Sequence, residues 1–177
     1  MMRNKPMLAY PVSSKPVDYG EPVFMQPKLD GVRCLIQAES DFPGQESLAS
    51  FTVKAYSRTG KEWKNIDHIL FNLKPFFTFH PNVVLDGELY NHDLRDNFEK
   101  IISCVRKTKP TEEHRAESEK LVQFHCYDVL THFNTSLYAD RAKWIGENLT
   151  PNSYIKRVNT LAVGCEDQAK VYHQNNL

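Results

Sequence analysis

The chain has 177 residues, 41% hydrophobic and 25% charged, the proportions of one soluble globular domain. Its 22 basic and 22 acidic residues cancel, which argues against a chain that grips nucleic acid through an overall positive field. No apolar run reaches membrane-span length, the opening "MMRNKPMLAYPVSSKP" lacks a signal-peptide core, and Cys34, Cys104, Cys126 and Cys165 form no CxxC pair, so they read as thiols in a reducing cytosol.

Pro6, Pro11 and Pro16 make the start an extended arm. "EPVFMQPK" (21–28) and "VRCLIQAE" (32–39) read as strands on either side of Asp30-Gly31, a hairpin signal. "SDFPGQES" (40–47) is a loop. "FTVKAYSR" (51–58) alternates Phe51, Val53 and Ala55 as a strand does, and ends in a turn at Thr59-Gly60. "NIDHILFNLKPFF" (65–77) spaces Ile66, Ile69, Leu70 and Leu73 for a helix, with Asn65 as its N-cap. "NVVLDGELY" (82–90) is a strongly apolar strand. "DLRDNFEKIISCVRK" (93–107) is a helix with Leu94, Phe98, Ile101, Ile102 and Val105 on one face. "PTEEHRAESE" (110–119) is a short polar helix or a loop, and "KLVQFHCYDVL" (120–130) a buried strand. "SLYADRAKWIGENL" (136–149) is an amphipathic helix capped by Ser136. "SYIKRVNTLAV" (153–163) is a strand and "EDQAKVYHQNNL" (166–177) a helix. Strands and helices mixed in this way, with early hairpin signals, predict an α+β fold with mostly antiparallel sheets and flanking helices.

"KLDGVR" (28–33) carries the chemistry, and its residues alone allow two readings. One is an exposed turn with a surface ion pair. The other is a nucleophilic corner, in which Lys28 acts through its neutral amine. There Arg33, folded back across the turn, depresses the lysine pKa and holds a phosphate or ribose oxygen. Asp30 holds a divalent metal or its water. Gly31 supplies the positive φ of a tight turn and lets a ligand approach the backbone. Gly60-Lys61 mimics the end of a Walker A loop, but Ala55 and Glu62 stand where Gly and Ser/Thr are required. "CVRKTKP" (104–110) is the best local basic surface, or simply a solvated face.

The pattern Lys-x-Asp-Gly-x-Arg resembles motif I of the covalent nucleotidyltransferases: ATP-dependent DNA ligases, RNA ligases and mRNA capping enzymes. "YSRTGK" (56–61) resembles motif Ia, "LDGELY" (85–90) motif III and "HCYDVL" (125–130) motif IIIa, all in the family's order. The combination is most similar to phage-type and other small ATP-dependent DNA ligases. It implies a nucleotidyltransferase (ATP-grasp-like) adenylation domain. In such a domain Lys28 attacks the α-phosphate of ATP, and the AMP then passes to the 5′-phosphate of a nick in double-stranded DNA. By the same resemblance Gln26 reads the adenine edge and Arg33 contacts ribose or phosphate. Arg58 contacts phosphates of the nick or the pyrophosphate, and Tyr127 stacks on adenine. Glu88 binds the ribose hydroxyl, and Asp30 and Glu88 serve Mg²⁺. A cytoplasmic protein (host cytoplasm if viral) is implied, without membrane association, working in replication, repair or recombination. The resemblance does not fix an oligomeric state.

Two family features are missing. No Glu is followed by Gly, as motif IV requires, and the only Lys-x-Lys, Lys107-Thr108-Lys109, precedes the motif IIIa match and so is not motif V. No OB-fold is expected within these residues either. The expectation is therefore a partial adenylation domain over residues 1–177, incomplete at its C-terminus, that adenylates poorly or not at all alone and cannot seal nicks. An RNA ligase or capping guanylyltransferase fragment, and a non-catalytic nucleic-acid-binding remnant, are the competing readings.

Overall fold

The computed structural model describes residues 10–42, 50–130 and 137–174. In chain order the elements are β1 (Val23–Met25), β2 (Val32–Ser40), β3 (Phe51–Tyr56), α1 (Asp67–Phe79), β4 (Val84–Tyr90), a 3-10 turn at His92–Leu94, α2 (Phe98–Val105), α3 (Glu112–Leu121), β5 (Gln123–Leu130), α4 (Tyr138–Asn148), β6 (Ile155–Arg157), β7 (Leu161–Val163) and α5 (Glu166–Gln174). Five strands make one sheet in the order β3-β2-β4-β5-β6, antiparallel except for the β5–β6 pair. β1 and β7 form a separate antiparallel ribbon. The expected α+β architecture with mostly antiparallel sheets is present. Among the described residues no helix is long and apolar enough to cross a membrane.

Period-two alternation assigns the two faces of the large sheet. Cys34 and Ile36 of β2, Leu85 and Leu89 of β4, and Phe124, Cys126 and Val129 of β5 turn into the core. There they meet Ile69, Leu73 and Phe77 of α1, Ile101 and Val105 of α2, and Ile145 of α4. The intervening residues, Arg33, Glu88, His125 and Tyr127 among them, leave on the opposite face. One irregularity matters for function. The β4–β5 register shifts between Asp86 and Gly87, so that Asp86 opposes Asp128 and Gly87 opposes Cys126. Tyr127 is the extra residue of a β-bulge, and its backbone is released from the ladder.

Several sequence expectations are corrected. Asp30-Gly31 does not close a hairpin. β1 pairs with β7 and β2 pairs with β3 and β4, so residues 26–31 carry the chain from one sheet to the other. Pro27, which has no N–H, ends the ladder just before this crossing. The 93–107 helix breaks into a 3-10 turn and α2, because the Asn91 side chain caps Asp93 N and the Asp/Asn-rich link favours capping over helix. The polar 110–119 stretch is helical, closed by a reciprocal Thr111–His114 capping box, and it absorbs Lys120 and Leu121 from the expected strand. The 153–163 strand divides into β6 and β7, one in each sheet. Asn65 does not cap α1. Its buried side chain donates to the carbonyls of Cys104 (2.9 Å) and His114 (3.1 Å), binding the start of α1 to the α2–α3 region. In the expected N-terminal arm, Pro11 instead accepts from Ser14 N in a turn. The Ser136 cap, most of the 40–47 loop and Pro6 lie outside the described residues.

Candidate active site

Gly31 sets how closely the Lys28 corner approaches the large sheet. A Cβ there would lie 2.5 Å from the Leu89 carbonyl oxygen and 2.6 Å from Glu88 Cγ, so only glycine lets the segment press on β4. The expected positive φ at Gly31 is not found. Among the described residues only Gly60, in its expected turn, has one (φ 85°). The same approach places Lys28 and Asp30 within electrostatic reach of Glu88. Lys28 Nζ contacts the Asp30 carboxylate, and both side chains are open to water, 87% and 70% exposed. The geometry thus replaces the hairpin over Lys28 with a contact between the corner and β4.

On the sheet face beside this corner, Arg33 and Asp86 form a two-bond pair: Nε to Oδ1 at 2.8 Å and Nη2 to Oδ2 at 2.5 Å. Burial works against the Arg33 charge, but the bonded, charged Asp86 outweighs it and raises the guanidinium pKa. The guanidinium carbon lies 5.1 Å from the centroid of the Tyr127 ring. Burial pushes the Glu88 carboxyl up to about 7; Arg33 and Lys28 oppose that shift and Asp86 adds to it. Burial also lifts the Tyr127 hydroxyl well above the ordinary phenol range. Arg33, Glu88 and Tyr127, from three adjacent strands, therefore meet on one face with Lys28 at its edge. Asp30 and Glu88 face the same corner, and among the described residues no third His, Cys, Asp or Glu joins them in a metal-binding cluster.

Gln26 contacts the bulge at Tyr127. Its Nε2, with two hydrogens to give, lies within hydrogen-bond distance of Tyr127 O (3.0 Å), Tyr138 Oη (2.8 Å) and Thr160 Oγ1 (2.9 Å). Arg58 sits apart from Tyr127 but shares a cavity of about 430 Å³ with Arg33, Lys61, Trp63 and Arg106. Arg58, Lys61 and Arg106 have no ion-pair partner among the described residues. A neutral chain thus gathers a local patch of positive charge, the condition for holding phosphate oxygens.

The chain matches the family described as ATP dependent DNA ligase domain over residues 6–176. It belongs to that family. Among the three nucleotidyltransferase readings of the sequence, the DNA ligase one is the family that matches. The ligase domain also shares its fold with solved structures. Pmar-Lig_Pre superposes with a TM-score of 0.64 at 20% identity, over 96% of this chain and 38% of that one. A structure described as "DNA binding with a minimal scaffold: Structure-function analysis of Lig E DNA ligases" gives 0.63 at 17%, over 98% and 57%. The ATP-dependent DNA ligase from bacteriophage T7, in complex with ATP, gives 0.54 at 16%, over 85% and 52%. The ligase domain therefore spans between 38% and 57% of the lengths of these chains. A search of curated protein sequences finds no match.

Sequence reasoning missed Asp86, Tyr138, Thr160 and the joining of Arg106 to Arg58. Asp86 had a usable signal: it stands two residues before Glu88 in one strand, hence on the same face. Arg106 was within the basic run "CVRKTKP", but the run gives no sign of which cation faces the cavity. Tyr138 and Thr160 are brought to Gln26 only by tertiary structure.

Proposed function

We propose that the ligase domain binds ATP beside Lys28 and takes an adenylyl group onto Lys28 Nζ, as the first step of sealing nicked double-stranded DNA. The observation that carries this reading is the meeting of Arg33, Glu88 and Tyr127 on one sheet face, with Lys28 at its edge. In the proposed step a bond forms between Nζ and the α-phosphorus as the bond to the pyrophosphate oxygen breaks. The amine proton leaves to the water around Lys28. Tyr127 offers its ring to the base, and Arg33, held by Asp86, offers donors to ribose or phosphate. Arg58, with Lys61 and Arg106, would receive the 5′-phosphate of the nick. Such a step depends on positioning and charge neutralisation.

The residues present suit Mg²⁺ as well as ATP. Glu88, held up to about 7, is a buried acid short of positive charge, which a divalent cation would supply. Asp30 and Glu88 are the carboxylates to hold it, and a bound Mg²⁺ would neutralise charge on the phosphates. The end use, in replication, repair or recombination, follows from nick sealing as a class of reaction.

Transfer by these 177 residues alone should be weak. Lys28 is exposed, and desolvation is one of the two devices that activate a lysine. The chain also carries no Glu-Gly pair and no Lys-x-Lys after β5. Incubation with Mg²⁺ and α-labelled ATP, followed by denaturation, tests the proposal. The expected result is a faint protein-bound label that Lys28→Ala abolishes. Label surviving in Lys28→Ala would refute the nucleophile. Robust Lys28-dependent label would refute the need for further residues.

A further inference from the structure

Another cavity, of about 560 Å³, opens between α4 and the β1–β7 ribbon. Its volume is that of a small-molecule site. One wall is α4, which contributes Ala139, Ala142 and Gly146. Positions 139, 142 and 146 fall on one helix face, and side chains this small leave the space beside the helix unfilled. The opposite wall is Phe24 of β1 and Ala162 of β7, which pair with each other in the ribbon.

The walls are tied together. Tyr138, at the start of α4, packs edge-to-face on Phe24 at 5.3 Å and lies under the Arg141 guanidinium at 5.4 Å. Arg141 in turn grips Asp128 of β5 through two bonds, Nε–Oδ1 at 2.8 Å and Nη2–Oδ2 at 2.9 Å. These contacts fix α4 against both β1 and β5, so the cavity is preformed.

Its charge is one-sided. Lys143 and Arg157 line the cavity, and no Asp or Glu does. Arg157 Nη1 donates to the Gly146 carbonyl at 2.5 Å, which anchors the guanidinium beside α4 and leaves its other N–H groups to give. Lys143 is held only loosely, with Glu147 3.9 Å away on the same helix. Two cations beside apolar walls suit an anion carried on an apolar body.

We infer that this cavity binds a small organic anion, its flat or compact apolar body between Phe24 and the small face of α4, its acidic oxygens on Arg157 and Lys143. The inference goes beyond the proposed nucleotide site, with which the cavity shares Tyr127 alone.

The probe is anilinonaphthalene sulfonate, whose fluorescence rises when its rings leave water, titrated into the full chain. Wild type should bind one dye per chain. Lys143→Gln/Arg157→Gln should weaken binding about tenfold, and raised salt should weaken it in wild type. Phenylnaphthylamine, the same body without the sulfonate, should bind wild type less tightly and be indifferent to the double variant. Ala142→Phe fills the cavity and keeps both cations, so it should remove binding of both dyes. Methyl-labelled alanine locates the dye in wild type without any substitution: Ala139, Ala142 and Ala162 should shift, and Ala55, buried in β3, should not. Saturating ATP with Mg²⁺ should leave the dye in place. Equal affinity of wild type and the double variant for the sulfonate would overturn the inference. So would methyl shifts that miss these three alanines, or displacement of the dye by ATP, which would place it on the nucleotide face instead.

Discussion

Glu88→Gln should remove a pH-dependent instability that the wild-type fold carries. Burial holds the Glu88 carboxyl at about 7 in the folded chain, against 4.5 for a free side chain. Below about pH 4.5 the acid is neutral in both states and the fold keeps its full stability. As pH rises from there to about 7, the unfolded chain ionises freely while the native one resists, so stability is lost through that window. At 1.36 kcal/mol per pH unit the shift corresponds to roughly 3 kcal/mol, and partial access to water brings this to about 2 kcal/mol. Urea unfolding followed by the fluorescence of Trp63 and Trp144 measures it. The two proteins should be alike near pH ~4.5, and Glu88→Gln more stable by about 2 kcal/mol near pH ~8. His125 runs the other way: burial, with Lys156 and His92 nearby, lowers it to about 4. Its effect is common to both proteins and cancels in the difference. Parallel stability curves across the window, or a less stable variant at high pH, would refute the electrostatic account of this corner.

The remaining predictions concern the same face. Arg33→Met leaves the Asp86 carboxylate, only 7% exposed, without its partner; a loss of about 3 kcal/mol in chemical denaturation is expected, and Arg33→Lys should recover little of it because lysine cannot form the two-bond fork. Asp86→Asn added to Arg33→Met should restore part of the loss, and no effect of Arg33→Met would contradict the pairing. Gly31→Ala should cost about 1–3 kcal/mol, read as a fall in Tm, since its Cβ meets the Leu89 backbone and cannot be accommodated by a side-chain shift. Arg106→Ala should weaken binding to 5′-phosphorylated nicked DNA and reduce its salt dependence by about one phosphate contact, with less effect on unphosphorylated DNA. Equal loss on both DNAs would place Arg106 outside the phosphate pocket.

The core was legible in the sequence where a period was strong. The alternation around Cys34 and Ile36, the helical spacing of Ile69 and Leu73, and the apolar β4 all stand as read. Pairing was harder to see. Asp30-Gly31 looks like a hairpin because local composition does not say which distant strand β1 will join. β7 joins it from far along the chain, Val23 pairing with Val163, 140 residues later. The same limit hid the Gln26 cage, whose members at 26, 127, 138 and 160 are joined by a bulge and a helix start rather than by spacing. Gly31 illustrates both sides: the need for glycine was right, but the cause is close approach to β4 and not a positive φ.

Reactivity of Lys28 in the presence of ATP tests the central claim most directly. The chain is treated with an amine acylating reagent with and without saturating ATP and Mg²⁺, and each lysine is read by peptide mass spectrometry. At 87% exposure Lys28 should react freely without nucleotide. With ATP it should become the most strongly protected lysine, while Lys143 and Lys170, exposed on α4 and α5, react as before. Lys28 reactivity unchanged by ATP, with protection elsewhere or nowhere, would contradict the assignment of this corner as the nucleotide site.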